Sequence, residues 1–160
     1  MKRSAVLIVG FLALATLPAD AQTADPPFTA NGAFIALSVP DVAASARWYR
    51  EKLGLRVILE PPKAGEATAV ILEGNGLLVE LIQHDAAKPL GTLAPGVRGS
   101  VYVHGYFKAG LIVEDFDRTI AALRARGIEI AFGPYPKSAT QRANAIIRDN
   151  AGNLIQFLGR

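Results

Sequence analysis

The sequence predicts an α+β domain made of two tandem βαβββ modules, and three observations lead there. Strand-like and helix-like runs recur in one order in both halves. Each half starts its helix on an aspartate and stops it on a glycine, Asp41 and Gly54 first, then Asp115 and Gly127. The spacing is nearly constant, since Asp115 follows Asp41 by 74 residues and "GNLIQ" (Gly152–Gln156) follows "GLLVE" (Gly76–Glu80) by 76.

In the first half, "AFIALSV" (Ala33 to Val39) reads as a strand. The "PD" that follows opens a helix, because the Asp41 carboxylate can accept from free N–H groups of the first turn. Val42, Ala46, Tyr49 and Leu53 keep helical spacing, and Gly54 can take the left-handed conformation that ends the helix. Trp48 and Tyr49 on this helix read as packing. Leu55 to Leu59 is a strand closed by Pro61 and Pro62. Ala67 to Leu72 and Leu77 to His84 are two more, and "EGNG" between them is a hairpin signal.

The second half repeats the pattern with Lys108 to Val113 as a strand and a helix striped by Phe116, Ile120 and Leu123. Ile128 to Phe132 is the next strand, and Ala139 to Arg148 with Asn153 to Leu158 form the closing hairpin. Asp149 and Asn153 in its "DNAGN" turn read as turn chemistry. The modules span 33–84 and 106–158 within a domain at 33–160. The connector 85–105 is rich in Gly and Pro and too long for a simple turn, so it is expected to cross between modules and help shape a site.

Ahead of the domain, Lys2 and Arg3 precede the uncharged run Ala5 to Leu17 and an "ADA" end at Ala19 to Ala21. These are the parts of a secretory signal peptide over 1–21, and the run is shorter than the ~20 residues of a spanning helix. Residues 22–32 read as a flexible leader. The expected location is periplasmic or secreted, with no membrane contact after cleavage.

The net charge of +3 falls to about +2 without Lys2, Arg3 and Asp20, and no basic stripe carries interleaved aromatics. Nucleic acid is therefore not an expected partner. The absence of cysteine excludes disulfides, thiolate ligands and a cysteine nucleophile.

The stretches "LSVPDVAASARWYREKLGL", "LIVEDFDRTIAALRARGIEI" and "RDNAGNLIQFL" resemble the vicinal oxygen chelate superfamily of glyoxalases, bleomycin resistance proteins and extradiol dioxygenases. The likeness covers Ala33 to Leu158. It implies mixed sheets that together form a cup, and one divalent ion held by four positions. Those positions fall on Phe34, Glu80, Lys108 and Gln156. The internal repeat pairs the same residues, Phe34 with Lys108 and Glu80 with Gln156.

Phe34 has no ligand atom, and Lys108 is a cation at neutral pH. A shift of one residue brings Ala33, Ile35, Phe107 or Ala109, which are no better. His84 shares the Glu80 face of its strand but lies about 13 Å along it at ~3.3 Å per residue. The expectation is that no metal and no other cofactor is bound. Glu80 and Lys108 then pair at the cup floor, with Gln156 completing the hydrogen bonds.

Three function classes follow. One is an exported protein binding a small, partly apolar ligand in the cup. Phe34, Ala36, Ser38, Leu78, Ile82, Leu154 and Leu158 would form the wall, with Glu80, Lys108 and Gln156 as polar readers and His84 and Arg142 at the margin. The second is a metal-independent lyase or isomerase with Glu80 as general base and Lys108 stabilising an oxyanion. The third is a metal-dependent glyoxalase, disfavoured by the lost ligands and by its need for a thiol cofactor outside the cytoplasm. His104, beside Tyr102 and Tyr106, reads as solvated. The resemblance also raises pairing of two chains as a homodimer.

Overall fold

The computed structural model describes residues 32–160, so the segment expected as a signal peptide and most of the expected leader lie outside the described residues. The element order is β1 (Ile35–Ser38), α1 (Val42–Leu53), β2 (Arg56–Leu59), β3 (Ala67–Gly74) and β4 (Leu77–His84). After a short helix α2 (Leu90–Leu93) and a 3₁₀ turn at Ser100–Tyr102 come β5 (Ala109–Val113), α3 (Phe116–Ala125), β6 (Ile130–Tyr135), β7 (Asn144–Arg148) and β8 (Leu154–Gly159). The βαβββ order is thus present twice. The connector holds two short elements not foreseen from its Gly and Pro content, and β7 starts five residues later than expected.

Both helices begin as their sequences require. The Asp41 carboxylate accepts from the Ala44 N–H at 2.8 Å, and Asp115 accepts from the Arg118 N–H at 2.9 Å. Gly54 (φ 71°) and Gly127 (φ 69°) end them in the left-handed region that costs a β-carbon-bearing residue energy. The β3–β4 hairpin turns on Asn75 (φ 53°) and Gly76 (φ 75°), the pair of positive angles a two-residue type I′ turn needs.

Each module forms a four-stranded mixed sheet, ordered β1-β4-β3-β2 and β5-β8-β7-β6. The central pairs are parallel, β1 with β4 and β5 with β8, and the rest are antiparallel. The internal repeat holds at residue level. Ala36 lies beside Glu80, and Gly110, 74 residues on, lies beside Gln156. Across the next strand Glu80 faces Ile71 and Gln156 faces Ile146.

Strand alternation decides what is buried. Leu37, Val39, Val70, Leu72, Val79 and Leu81 point inward from the first sheet, while Ala109, Ala145, Ile147, Ile155 and Phe157 do so from the second. Tyr49 and Leu53 of α1 and Ile120 and Leu123 of α3 belong to the same cluster, so both modules feed one core. At ~1.5–3 kcal/mol for each large apolar side chain buried, this shared core is the main source of stability in a chain without disulfides. Among the described residues no helix is long and apolar enough to cross a membrane.

Candidate functional site

The shared core has a consequence for the other side of each sheet. With both inward faces turned to one core, the outward faces lie on the opposite side of each sheet. On the first outward face stand Phe34, Ala36, Ser38, Leu78, Glu80, Ile82 and His84, the set expected from alternation. Ile71 joins them beside Glu80. The second outward face carries Lys108, Ile112, Asn144, Gln156 and Leu158. Leu154 is on this side too, but at 8% exposure it offers little wall.

The sequence pairs Glu80 with Lys108 at one floor, and the structure shows no such pair within the chain. Among the described residues no ion pair joins them, and Glu80 makes no side-chain hydrogen bond. Lys108 sits just before β5, its ammonium 5.3 Å from the Phe107 ring centre. Gln156 donates from Nε2 to Asn144 Oδ1 at 3.2 Å, not to Glu80. Periodicity tells which face of a strand is buried, not what buries it.

His84 ends β4 exposed. Its Nδ1 accepts from the Ala86 N–H at 3.1 Å and its Nε2 lies 3.9 Å from Glu66 Oε2. Arg142 and His104 are both exposed in loops, Arg142 ahead of β7 and His104 in the connector.

The modules are held together on the helix side. Tyr49, fully buried on α1, donates its hydroxyl to Asp149 Oδ2 at 3.0 Å in the β7–β8 turn. Asp149 also accepts from the Ala151 and Asn153 backbone N–H groups and from Asn153 Nδ2, all at 2.8–2.9 Å. The turn chemistry expected of Asp149 and Asn153 is present, and the bond to Tyr49 extends it across modules. Burial, then the Asp149 charge and the hydrogen bond that Tyr49 donates to it, raise the Tyr49 hydroxyl well above its ordinary pKa. Asn150 adds a bond to Ser45 Oγ at 3.2 Å, and Lys52 Nζ donates to the Arg126 carbonyl.

Residues 33–157 match the family model for the glyoxalase/bleomycin resistance protein/dioxygenase superfamily. The chain belongs to that superfamily. Among solved structures, a glyoxalase family protein from Enterococcus faecalis is 20% identical with a TM-score of 0.63, covering 78% of this chain and 94% of its own. An antibiotic binding protein from a Streptomyces species is 22% identical with a TM-score of 0.55, covering 82% and 98%. A fosfomycin resistance protein from Listeria monocytogenes, complexed with Mn(II), is 12% identical with a TM-score of 0.57, covering 82% and 93%. At these identities the structures show a common fold. No curated protein matches the sequence.

A divalent ion is what this superfamily implies, and the residues here do not fit one. Of the four positions, Phe34 offers no donor atom, Lys108 is cationic, and Glu80 and Gln156 stand on separate sheets. Among the described residues no three His, Asp or Glu side chains cluster as metal ligands.

Sequence reasoning passed over Ile71, Asn144 and Ile146, which flank Glu80 and Gln156. The alternation of β3 and β7 carries the signal that finds them. The backbone holds a further feature. Val39 N–H donates to Ile82 and the Val113 carbonyl accepts from Arg160, so the alternate residues Ala36, Ser38, Gly110 and Ile112 aim their backbone groups at the open edges of β1 and β5. No other described strand pairs with those edges.

Proposed function

We propose that this chain is an exported protein that binds a small, partly apolar ligand, and that the cup is completed by a second copy of the chain. The observation behind this reading is the pair of outward faces that one chain leaves uncovered. Each combines apolar wall with one or two polar side chains, as small-ligand pockets do. Phe34 (61% exposed) and Ile112 (68%) stand on them beside the open edges of β1 and β5, and open edges are normally covered. A partner whose second sheet meets the first sheet of this chain brings Lys108 and Gln156 toward Glu80. The pair expected within one chain then forms between two. In a half-apolar cup, opposite charges left apart cost several kcal/mol, so pairing or bridging by ligand is favoured. The fold likeness to an antibiotic binding protein is consistent with a binding role.

A second reading keeps the same site and makes it a metal-independent lyase or isomerase. Glu80 is its candidate base, since no hydrogen bond among the described residues occupies its carboxylate. Glu80→Gln and Lys108→Met separate the two. A binding protein loses affinity with either substitution, whereas an enzyme loses turnover and keeps binding. Export through the segment at 1–21 is part of the proposal, checked by the N-terminal residue of protein recovered from the periplasm.

Native mass spectrometry of that protein tests the whole reading. Two chains with a stoichiometric organic ligand and no transition metal are expected. A stoichiometric transition metal, or a ligand held by a single chain, overturns it.

A further inference from the structure

The two outward faces match in register and differ in chemistry. On the second sheet Gly110, Gln156, Ile146 and Phe132 stand side by side on four neighbouring strands. Ala36, Glu80, Ile71 and Leu59 do the same on the first. Strands ~4.8 Å apart bring the side chains of such a row into contact range. Where the first row sets a carboxylate beside an alanine, the second sets an amide beside a glycine.

The Gln156 amide is held in one orientation. Asn144 Nδ2 donates to the Arg142 carbonyl at 3.1 Å, which leaves Asn144 Oδ1 to accept from Gln156 Nε2 at 3.2 Å. Turning the Gln156 amide over would set two oxygens against each other. A side-chain amide has two N–H donors and an oxygen that accepts twice. Gln156 Oε1 and the second Nε2–H therefore stay open, with no side-chain partner among the described residues.

Around this amide the face is flat and apolar. Gly110 adds no side chain, and a β-carbon there would meet nothing within 4 Å except the Gln156 carbonyl oxygen, at 4.0 Å. Ile112 and Leu158 form the next row along β5 and β8, while Ile146 and Phe132 continue the first. Ile112 is 68% exposed and Phe132 44%, so this wall is open to a ligand.

We infer that the second outward face reads a planar cyclic amide. The ring lies over Gly110 against Ile112 and Leu158, its N–H donates to Gln156 Oε1, and its carbonyl accepts the open Nε2–H. The inference rests on the binding role proposed above for these faces and adds the chemical class that one of them recognises. A ligand without the N–H covers Oε1 and leaves it unpaired, and a carboxylate sets like charge against it. Gln156 determines specificity, and Asn144 is a positioning residue that acts through it.

Isoquinolin-1-one, a lactam with N–H beside carbonyl, and its N-methyl derivative, the same ring without the N–H, are the probes. Ligand-observed NMR titration of the full chain is expected to show saturable binding of the lactam, with the N-methyl derivative at least tenfold weaker. Gln156→Met keeps the apolar contact and is expected to bring that ratio close to one. Asn144→Leu frees the Gln156 amide to turn and lowers the ratio severalfold. Gly110→Val fills the open space at a position without a left-handed backbone, and is expected to abolish binding of both probes. Absence of saturable lactam binding, equal affinity for the N-methyl derivative, a ratio unchanged by Gln156→Met or Asn144→Leu, or binding that survives Gly110→Val overturns the inference. Native mass spectrometry separates it from the reading it rests on. Two chains with an organic ligand but no preference for the lactam overturn the inference alone. A single chain that binds the lactam through Gln156 upholds the inference and overturns the two-chain cup.

Discussion

The two modules share order, caps and register, yet their closing turns do different work. In the first module the Glu73–Gly76 turn is tied locally, with Asn75 Nδ2 donating to the Leu53 carbonyl at 2.8 Å. In the second the Asp149–Asn153 turn carries a nearly buried carboxylate that takes four hydrogen bonds, one from Tyr49 on the helix of the other module. A repeat can thus preserve its backbone while one copy acquires the contact that docks the pair.

The sharpest way to break this comparison is Asp149→Ala. It leaves the Tyr49 hydroxyl and the Asn153 donors unpartnered in a buried place, and about 3–5 kcal/mol of unfolding free energy in urea titration is the expected loss. Asn75→Ala, at the matching turn, is expected to lose only about 1 kcal/mol. Equal losses at the two turns contradict the asymmetry.

Tyr49→Phe comes next. It keeps the packing, removes one of the four bonds to Asp149, and costs about 1–2 kcal/mol at neutral pH. Its pH dependence is more telling. Since the Tyr49 pKa is raised in the folded state, the stability it carries is complete below about pH 10 and is lost as pH climbs through the alkaline range. Unfolding free energy of the parent chain is expected to fall above about pH 10, and Tyr49→Phe removes up to about 1.4 kcal/mol per pH unit of that slope. A slope that survives the substitution intact places its source elsewhere.

The smallest effects sharpen what the modules hold in common. Asp41→Ala and Asp115→Ala each remove one helix cap of the same geometry, so each is expected to cost about 1 kcal/mol in thermal unfolding. A difference well above that between them shows that one module tolerates fraying and the other does not.

How much of this could be read in the chain depends on the range of the contact. Caps, stops and the hairpin turn are set within a few residues, and Asp41, Gly54, Asp115 and Gly127 stand where their chemistry puts them. Alternation placed Glu80 and His84 on one face, and the repeat matched Ala36 beside Glu80 to Gly110 beside Gln156. The bond from Tyr49 to Asp149, across 100 residues, leaves no local sign, because a buried tyrosine and a turn aspartate each have an ordinary explanation. That Glu80 and Lys108 form no ion pair within the chain was illegible for the same reason, since such a pair depends on how two finished modules dock. The connector misled more simply. Its glycines and prolines concealed α2 and a 3₁₀ turn, both too short for periodicity to register.

The proposed dimer requires Glu80 to meet Lys108 between two chains and not within one. Because the chain has no cysteine, Glu80→Cys and Lys108→Cys can report this by disulfide formation under mild oxidation. Mixing the two single variants is expected to give a covalent dimer of one Glu80→Cys and one Lys108→Cys chain. A mixture that stays monomeric, or a double variant that closes its disulfide within one chain, contradicts the account.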